Sequence, residues 1–220
     1  MRKRALITGA SRGLGAVAVE AFSAEYDVVP FTRAQYDFLR PDERCEIPPV
    51  DIIIHCAGGG LGLREPCLSA DGFYQLFMVN LGGAAEINRL AVPYMQENGW
   101  GRIIHICSIA SGEAVGSVGY NTVKAALAAY VRSIGRELAP FGVVVTGISP
   151  GGFEAPDNAM ARLKERSPEA YQEFTEKRLP RGHMGKAEEL IPLLRYLISP
   201  EASMMGGCVV PIDAGEGRYY

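Results

Sequence analysis

A tyrosine and a lysine, Tyr120 and Lys124, stand four residues apart in the sequence. In an α-helix this spacing places both side chains on one face. A tyrosine exchanges protons near neutral pH only where its phenolate is stabilised, because the unperturbed phenol has a pKa of about 10. Each unit of depression requires about 1.4 kcal/mol of phenolate stabilisation, which a close ammonium in a partly dry site supplies. The pair is therefore suited to proton transfer at a substrate oxygen.

Ser108 is a third candidate, upstream of that pair. It ends an apolar run that is predicted to form a buried strand, and ligand-facing residues of open α/β sheets collect at strand ends. Its hydroxyl could donate a hydrogen bond to a substrate oxygen. The spacing of the tyrosine and lysine is weak evidence alone, since ten tyrosines give about 0.2 such matches by accident. A surface tyrosine and lysine with no shared task is the alternative.

A glycine-rich run, Thr8-Gly9-Ala10-Ser11-Arg12-Gly13-Leu14-Gly15, follows the first apolar segment and opens the first helical one. In that context Gly9 permits a tight turn, Gly13 lets the backbone approach a pyrophosphate, and Gly15 allows close helix packing. The N–H groups at the start of the helix would then bind the phosphates. The run predicts a dinucleotide-binding turn, although glycine-rich turns also serve as plain connections.

Short apolar runs alternate along the chain with longer segments of helical period, a pattern typical of a parallel sheet covered by helices. The predicted strands are 5–8, 28–31, 51–56, 102–108, 143–149 and 208–212. The predicted helices are 15–24, 71–98, 120–139 and 187–198. We predict an α/β fold with a Rossmann-type doubly wound, mostly parallel sheet and helices on both faces, in a single domain spanning residues 1–220. The more charged stretch 155–182 is expected to cover a site.

The composition argues against several other classes of protein. The 22 basic and 25 acidic residues leave a net charge of -3, so no nucleic-acid partner is expected. The five cysteines are scattered and never form C-x-x-C, which indicates neither disulfides nor a metal site and favours a cytoplasmic location. No apolar stretch suits a signal peptide or a membrane span. The three histidines, His55, His105 and His183, are expected to be structural.

Six separated motifs occur in an order and approximate spacing that resemble those of the short-chain dehydrogenases/reductases. They are Thr8-Gly9-x-x-x-Gly13-x-Gly15, Cys56-Ala57-Gly58, Asn80, Ser108, Tyr120-x-x-x-Lys124 and Pro150-Gly151. The resemblance covers nearly the whole chain and is nearest in general character to the 3-oxoacyl-thioester reductases. Agreement of several motifs in order is far more specific than any one of them.

The resemblance implies a catalytic set of four residues. Tyr120 would be the general acid in reduction, and Lys124 would hold the nicotinamide ribose and stabilise the phenolate. Ser108 would orient the carbonyl, and Asn80 would shape a kinked helix that holds a water of the proton relay. The resemblance also implies cofactor contacts at Gly9, Ser11, Arg12, Gly13, Leu14, Gly15, Arg33, Asp37, Cys56, Ala57, Gly58, Tyr120, Lys124, Pro150 and Gly151.

The sequence departs from the family pattern at two places that concern the site. Cys56 stands where the family usually has an asparagine that ties strands together. Only three residues separate Arg33 from Asp37, and thirteen separate Asp37 from Asp51, so both crossovers flanking the family's third strand must be abbreviated. A helix there is expected to be reduced or missing.

The end of the second predicted strand indicates a preference for NADP(H) over NAD(H), which stays possible. An acidic residue at this point binds the ribose hydroxyls of NAD, whereas a nearby arginine accommodates the 2′-phosphate of NADP. Here Thr32 replaces the acid, Arg33 follows, and Arg12 projects from the glycine-rich turn. Two guanidinium groups could thus bind one phosphate. The alternative is that Arg33 is an exposed loop residue and Arg12 only stiffens the turn.

Together these observations predict an NADPH-dependent oxidoreductase that interconverts a small-molecule carbonyl and an alcohol. A catalytically silent NADP(H)-binding sensor or scaffold is the alternative. The carbonyl compound is left open among acyl thioesters, sugars and other ketones, because the basic residues of 155–182 alternate with acidic ones and indicate a solvated mixed-charge helix. Alanine-rich predicted helices favour a homodimer or homotetramer.

Overall fold

The computed structural model describes residues 2–40 and 44–218, and its centre is a parallel six-stranded sheet. The strands lie in the order β2-β1-β3-β4-β5-β8. Their bounds are β1 Arg4–Thr8, β2 Asp27–Phe31, β3 Ile52–His55, β4 Gly101–Ile106, β5 Val143–Pro150 and β8 Val209–Ile212. The central strands are buried on both faces, as their continuous runs of β-branched residues require.

Helices cover both faces of this sheet. Alternate strand residues point to opposite sides, so Ala5 and Ile7 pack toward α1 and α7 whereas Leu6 packs toward α3 and the end of α4. The helices are α1 Gly13–Phe22, α2 Ala70–Phe77, α3 Gly83–Glu97, α4 Val118–Leu138, α5 Ala159–Arg166, α6 Pro168–Arg178 and α7 Ile191–Leu197. The predicted α/β fold class is confirmed.

The strand order reverses direction between β1 and β3. The chain first moves outward from β1 to β2, then crosses back to place β3 on the other side of β1. A crevice opens at such a switch point beyond the carboxyl ends of the strands, and ligands of open α/β sheets bind there. Both the glycine-rich turn after β1 and the residues after β3 lie at this point.

The segment between β2 and β3 is shortened, as the residue spacing predicts. Its described residues, 32–40 and 44–51, form turns and extended chain with neither a strand nor a helix. Two aromatic side chains, Tyr36 and Phe38, are buried there and meet edge to face. A Cβ at Gly83 would lie 2.2 Å from the Phe38 ring, so this glycine lets the short segment pack directly on α3.

Other departures from the predicted elements are an interruption within one predicted helix and regular structure in the stretch 155–182. The predicted helix over 71–98 is interrupted by a π-helical segment, Met78–Gly82. The stretch 155–182 is more regular than its mixed composition indicates, since it contains α5 and α6. A small parallel pair, β6 Phe153–Glu154 and β7 Gly185–Lys186, brackets these helices. Across residues 2–40 and 44–218, every helix is too short or too polar to traverse a membrane.

A polar cluster is buried between the sheet and helices α3 and α4. His55 and His105 are paired across β3 and β4, and their rings stack with centroids 4.6 Å apart. Oδ1 of Asn88 lies 2.9 Å from Nε2 of His55. Nδ2 of Asn88 lies 3.3 Å from Nε2 of His105 and donates to the Tyr130 hydroxyl at 3.1 Å. Neither imidazole Nδ1 has a hydrogen-bond partner within the described residues. Both histidines are structural in this arrangement.

The histidine cluster makes stability depend on pH. Burial lowers the pKa of His55 to about 4, and the hydrogen bond to Asn88 opposes this only in part. Burial, with His55 and Lys124 nearby, also holds the pKa of His105 well below its ordinary value. In the unfolded chain both histidines bind protons from about pH 6.5 downward. The free energy of unfolding should therefore fall as the pH drops from 6.5 toward 4, by up to roughly 1.4 kcal/mol per pH unit for each histidine.

Urea unfolding across this pH range measures the effect. His55→Gln should make the pH dependence of the free energy of unfolding shallower, by up to the equivalent of one proton fewer bound on unfolding. An unchanged slope in a folded His55→Gln protein would show that other groups control the acid response.

Candidate active site

Lys124 is the charged residue of the predicted catalytic set, and it is buried. It lies on α4 with only 4% of its surface exposed, and Nζ donates a hydrogen bond to the carbonyl of Ile106 at 2.8 Å. The same Nζ lies 5.6 Å from the centroid of the Tyr120 ring, one helical turn earlier. The helix thus brings an ammonium and a half-buried phenol to the carboxyl end of β4.

Ser108 lies two residues beyond the end of β4 and caps the short 3-10 helix Ile109–Ser111. Its Oγ accepts a hydrogen bond from the Ala110 amide at 3.1 Å. Its carbonyl accepts from the Ser149 hydroxyl at 3.2 Å, which links it to β5. A hydroxyl that accepts on one side can donate its proton on another. Ser108 is therefore fixed by its backbone contacts, and its hydroxyl proton can still be donated to a ligand.

Asn80 lies at the centre of the π-helical segment and is nearly fully buried. Its amide nitrogen donates to the carbonyls of Leu76 and Gly59, both at 2.9 Å, and its oxygen accepts from the Gly59 amide at 3.0 Å. A side chain that donates a hydrogen bond to a carbonyl of the preceding helical turn disturbs the regular backbone hydrogen bonds of the helix. The two bonds to Gly59 fasten the loop after β3 to the helix.

A glycine allows two of these predicted catalytic residues to converge. A Cβ on Gly58 would lie 2.9 Å from Oδ1 of Asn80 and 3.5 Å from Nζ of Lys124. Gly60 is next to the Tyr120 ring, since a Cβ there would lie 3.9 Å from the ring. The bare backbone after β3 thus fits between the amide, the ammonium and the phenol.

The glycine-rich turn is built for close backbone contact. A Cβ on Gly9 would lie 2.8 Å from the Ala57 amide, and that amide donates to the Thr8 hydroxyl at 3.1 Å. A Cβ on Gly15 would lie 2.2 Å from the carbonyl of Gly9, so α1 packs directly on the turn. Gly13 has a φ of +61°, and a Cβ there would meet open space. The turn therefore offers an open backbone surface at the start of α1, which fits a dinucleotide phosphate.

Two donors of that turn are held by the segment that follows β6. The Gly13 amide donates to the Pro156 carbonyl at 2.7 Å. The Arg12 guanidinium pairs with the Asp157 carboxylate at 3.1 Å. A phosphate that binds the Gly13 amide has to replace Pro156, and one that binds Arg12 has to compete with Asp157.

The end of β2 carries the residues predicted to select the cofactor. The Ala10 amide donates to the Phe31 carbonyl at 3.4 Å, which joins the glycine-rich turn to this strand. Gln35 accepts hydrogen bonds from the amide and hydroxyl of Thr32. Arg33 is largely exposed, with Nε 3.9 Å from the Asp37 carboxylate. The structure brings Arg33 and Asp37 together at the rim of the crevice.

Pro150 and Gly151 close β5 next to a buried carboxylate that the motif analysis missed. The Glu216 side chain is 2% exposed, accepts from the Gly152 amide at 2.6 Å, and pairs with Arg178 of α6 at 2.9 Å. Arg178 also donates to the Val115 carbonyl at 3.2 Å, in the loop that leads to Tyr120. These contacts fasten the end of 155–182 beside the site. Thirty-eight residues separate the ion pair in sequence, so no local spacing signals it.

The other basic residues of 155–182 mostly pair with acids, as the alternating charges predict. Each pair joins neighbouring parts of the segment or its flanks: Arg162 with Asp157, Lys164 with Glu154, Lys177 with Glu173, and Arg181 with Glu189. The cysteines next to the crevice are neutral thiols, because burial raises the pKa of Cys56 to about 12 and that of Cys107 to about 11. A thiol in that state is a small apolar filler rather than a nucleophile.

Comparison with known proteins defines the family. A short-chain dehydrogenase family model described as enoyl-(acyl carrier protein) reductase matches residues 42–216. This match spans most of the chain, which therefore belongs to the short-chain dehydrogenase/reductase family of enzymes.

Relatives and solved structures agree with this assignment. The chain is 28% identical to 2-dehydro-3-deoxy-L-rhamnonate dehydrogenase (NAD(+)) of Sphingomonas sp. strain SKA58, over 98% of this chain and 95% of that protein. It is 29% identical to 3-oxoacyl-[acyl-carrier-protein] reductase MabA of Mycobacterium avium, over 96% and 89%. The L-sorbose reductase of Gluconobacter frateurii, solved with NADPH and L-sorbose, superposes with a TM-score of 0.85 over 100% of this chain and 98% of that chain at 22% identity. That last likeness concerns the fold.

Proposed function

We propose that this enzyme uses NADPH to interconvert a small-molecule carbonyl and its alcohol, with Tyr120 as the general acid and base. One observation carries the proposal: the buried Lys124 ammonium lies 5.6 Å from the Tyr120 ring centroid, beside Gly58 and Asn80 at the switch point of the sheet. An ammonium fixed there can hold the nicotinamide ribose next to the phenol. All four catalytic positions carry residue types that can perform their assigned steps.

The other three members of the set each have one task in this proposal. The bound nicotinamide supplies or accepts the hydride. Tyr120 gives its phenolic proton to the substrate oxygen during reduction and takes it back during oxidation. Ser108 donates a hydrogen bond to the same oxygen and stabilises its developing charge. Asn80 holds the loop after β3 in place, so that Gly58 and Lys124 keep their separation.

The glycine-rich turn and the end of β2 would hold the cofactor. The turn offers the amides at the start of α1, and Arg12 and Arg33 offer guanidinium groups for the 2′-phosphate. The solved relatives include a 3-oxoacyl (acyl-carrier-protein) reductase of Agrobacterium tumefaciens C58 with NADP bound. Because Thr32 adds no negative charge at the end of β2, nothing at that position repels a phosphate.

The segment 155–182 would cover the substrate side of the crevice. Its helix α6 is fastened to the loop before Tyr120 by Arg178, and to the C-terminal stretch by Glu216. Since its other basic side chains mostly pair with acids, it offers little free positive charge for an acidic carrier protein. The named relatives act on acyl-carrier and sugar-derived carbonyl compounds, and we propose a carbonyl substrate within these two classes.

Tyr120→Phe tests the proposed chemistry. The variant should retain NADPH affinity within about twofold and lose turnover by two orders of magnitude or more, because it removes the proton donor and keeps the ring. NADPH binding by fluorescence and NADPH oxidation with 3-oxoacyl thioesters and ketoses are the measurements.

Tyr74→Phe, on the exposed side of α2, is the matched control and should behave as the wild type. Turnover in Tyr120→Phe at the wild-type rate would remove the tyrosine from the mechanism. Binding without turnover in the wild type would favour a silent sensor.

The cofactor preference is a separate prediction. The ratio of kcat/KM for NADPH to that for NADH should exceed one in the wild type. It should fall roughly ten- to hundredfold in Thr32→Asp/Arg33→Ala, because a charge-assisted hydrogen bond contributes about 1.5 to 3 kcal/mol. A wild type that prefers NADH would overturn the assignment of NADPH. An unchanged ratio in the variant would show that these two residues do not set it.

A further inference from the structure

The segment after β6 contacts the glycine-rich turn through two hydrogen-bond acceptors. The Pro156 carbonyl accepts from the Gly13 amide at 2.7 Å, and the Asp157 carboxylate pairs with Arg12 at 3.1 Å. Gly13 is the first residue of α1, so its amide is one of the donors left unpaired by the helix itself. Both contacts therefore use donors that the proposed function assigns to the cofactor phosphates.

A carbonyl oxygen, a carboxylate and a phosphate are chemically alike toward these donors. Each accepts hydrogen bonds, and the carboxylate and the phosphate both neutralise a guanidinium. One amide hydrogen serves a single acceptor well, so Pro156 and a phosphate exclude each other at Gly13. Arg12 has further N–H groups, but a carboxylate beside it lowers the gain from adding a phosphate and places two anions next to each other.

The conformation of Asp157 is held by specific contacts. Its φ of +52° lies in the left-handed region, which few residues other than glycine, asparagine and aspartate adopt. Arg162 of α5 binds both the carbonyl and the carboxylate of Asp157. Asn158 caps α5 through the Ala161 amide at 2.9 Å and donates to the Phe153 carbonyl at 2.8 Å. The turn at 156–158 is thus a built feature that directs the carboxylate toward Arg12.

The far end of the same segment is fastened elsewhere. Arg178 pairs with Glu216 and donates to the Val115 carbonyl, away from the glycine-rich turn. Cofactor phosphates compete with the contacts at 156–157 and leave those at Arg178 in place. The segment can therefore release the turn while α6 stays attached.

We propose that Asp157 is a specificity-determining residue that competes with the 2′-phosphate of NADPH for Arg12, and that cofactor binding releases 156–157 from the glycine-rich turn. This inference rests on the proposed function, since it takes NADPH as the ligand. In this proposal the Asp157 carboxylate lowers the affinity for NADPH more than the affinity for NADH, because NADH lacks the 2′-phosphate that would bind Arg12. The carboxylate thereby narrows the difference in affinity between the two dinucleotides.

Equilibrium binding of NADPH and NADH, followed by fluorescence, tests the competition. Asp157→Asn keeps the shape of the side chain and tolerates a left-handed backbone, but removes the charge. It should tighten NADPH binding about two- to fivefold, the size expected for an exposed ion pair, and change NADH binding less than twofold. Glu154→Gln is the matched control, because Glu154 pairs with Lys164 of the same segment and does not contact the turn. It should leave both affinities within twofold of the wild type.

A double-mutant cycle with Arg12→Ala separates competition from a general loosening of the segment. Arg12→Ala should weaken NADPH binding, and adding Asp157→Asn to it should give no further change. Three results would each overturn the inference. The first is an equal gain in NADPH affinity when Asp157→Asn is added to Arg12→Ala, the second is the same gain in Glu154→Gln, and the third is no gain in Asp157→Asn. These outcomes leave the proposed function intact as long as the wild type binds NADPH. A wild type that binds neither dinucleotide contradicts the proposed function and the inference with it.

Discussion

The contact on which the site depends is the hydrogen bond from the buried Lys124 ammonium to the Ile106 carbonyl. A charge with almost no solvent contact is costly unless polar groups replace the lost water. The carbonyl at the end of β4 provides one such group and fixes the ammonium beside the Tyr120 ring. The sheet supplies the carbonyl, and α4 supplies both the lysine and the tyrosine. The packing of α4 on the strands therefore sets where these two side chains lie relative to the end of β4.

The loop after β3 completes this environment because it has no side chain where it passes Lys124. Gly58 fits between Asn80 and Lys124, and Asn80 binds the backbone of Gly59 on both its donor and acceptor sides. The π-helical segment at Asn80 thus joins α2 and α3 to the site. The glycine-rich turn differs, because its Gly13 amide and Arg12 guanidinium already have protein partners at Pro156 and Asp157, with which the phosphates of the proposed cofactor would compete. Fixed contacts around Tyr120 and Lys124, together with exchangeable contacts at the glycine-rich turn, suit an enzyme that binds and releases its cofactor in each cycle.

Much of this arrangement follows from local sequence, and some of it cannot. The strands and the glycine-rich turn are encoded in apolar runs and glycine spacing, which act over a few residues, so the parallel sheet and the ligand-facing residues at its strand ends could be predicted. The shortening of the segment before β3 follows from residue counts set against the family pattern. The ion pair of Arg178 and Glu216, the stacked His55 and His105, and the contact of Pro156 with Gly13 join residues far apart in the chain. Their partners are determined only when the sheet order and the path of 155–182 are known.

In the proposed reaction the nicotinamide and the substrate exchange a hydride in this crevice. The most direct test is to incubate the enzyme with NADPH deuterated at the transferred position of C4 and with 3-oxoacyl thioesters or ketoses, then analyse the products by mass spectrometry. We expect one deuterium on the carbinol carbon of the alcohol formed. Alcohol that carries no deuterium, or deuterated NADPH that binds and yields no alcohol from any carbonyl of these two classes, would contradict the account.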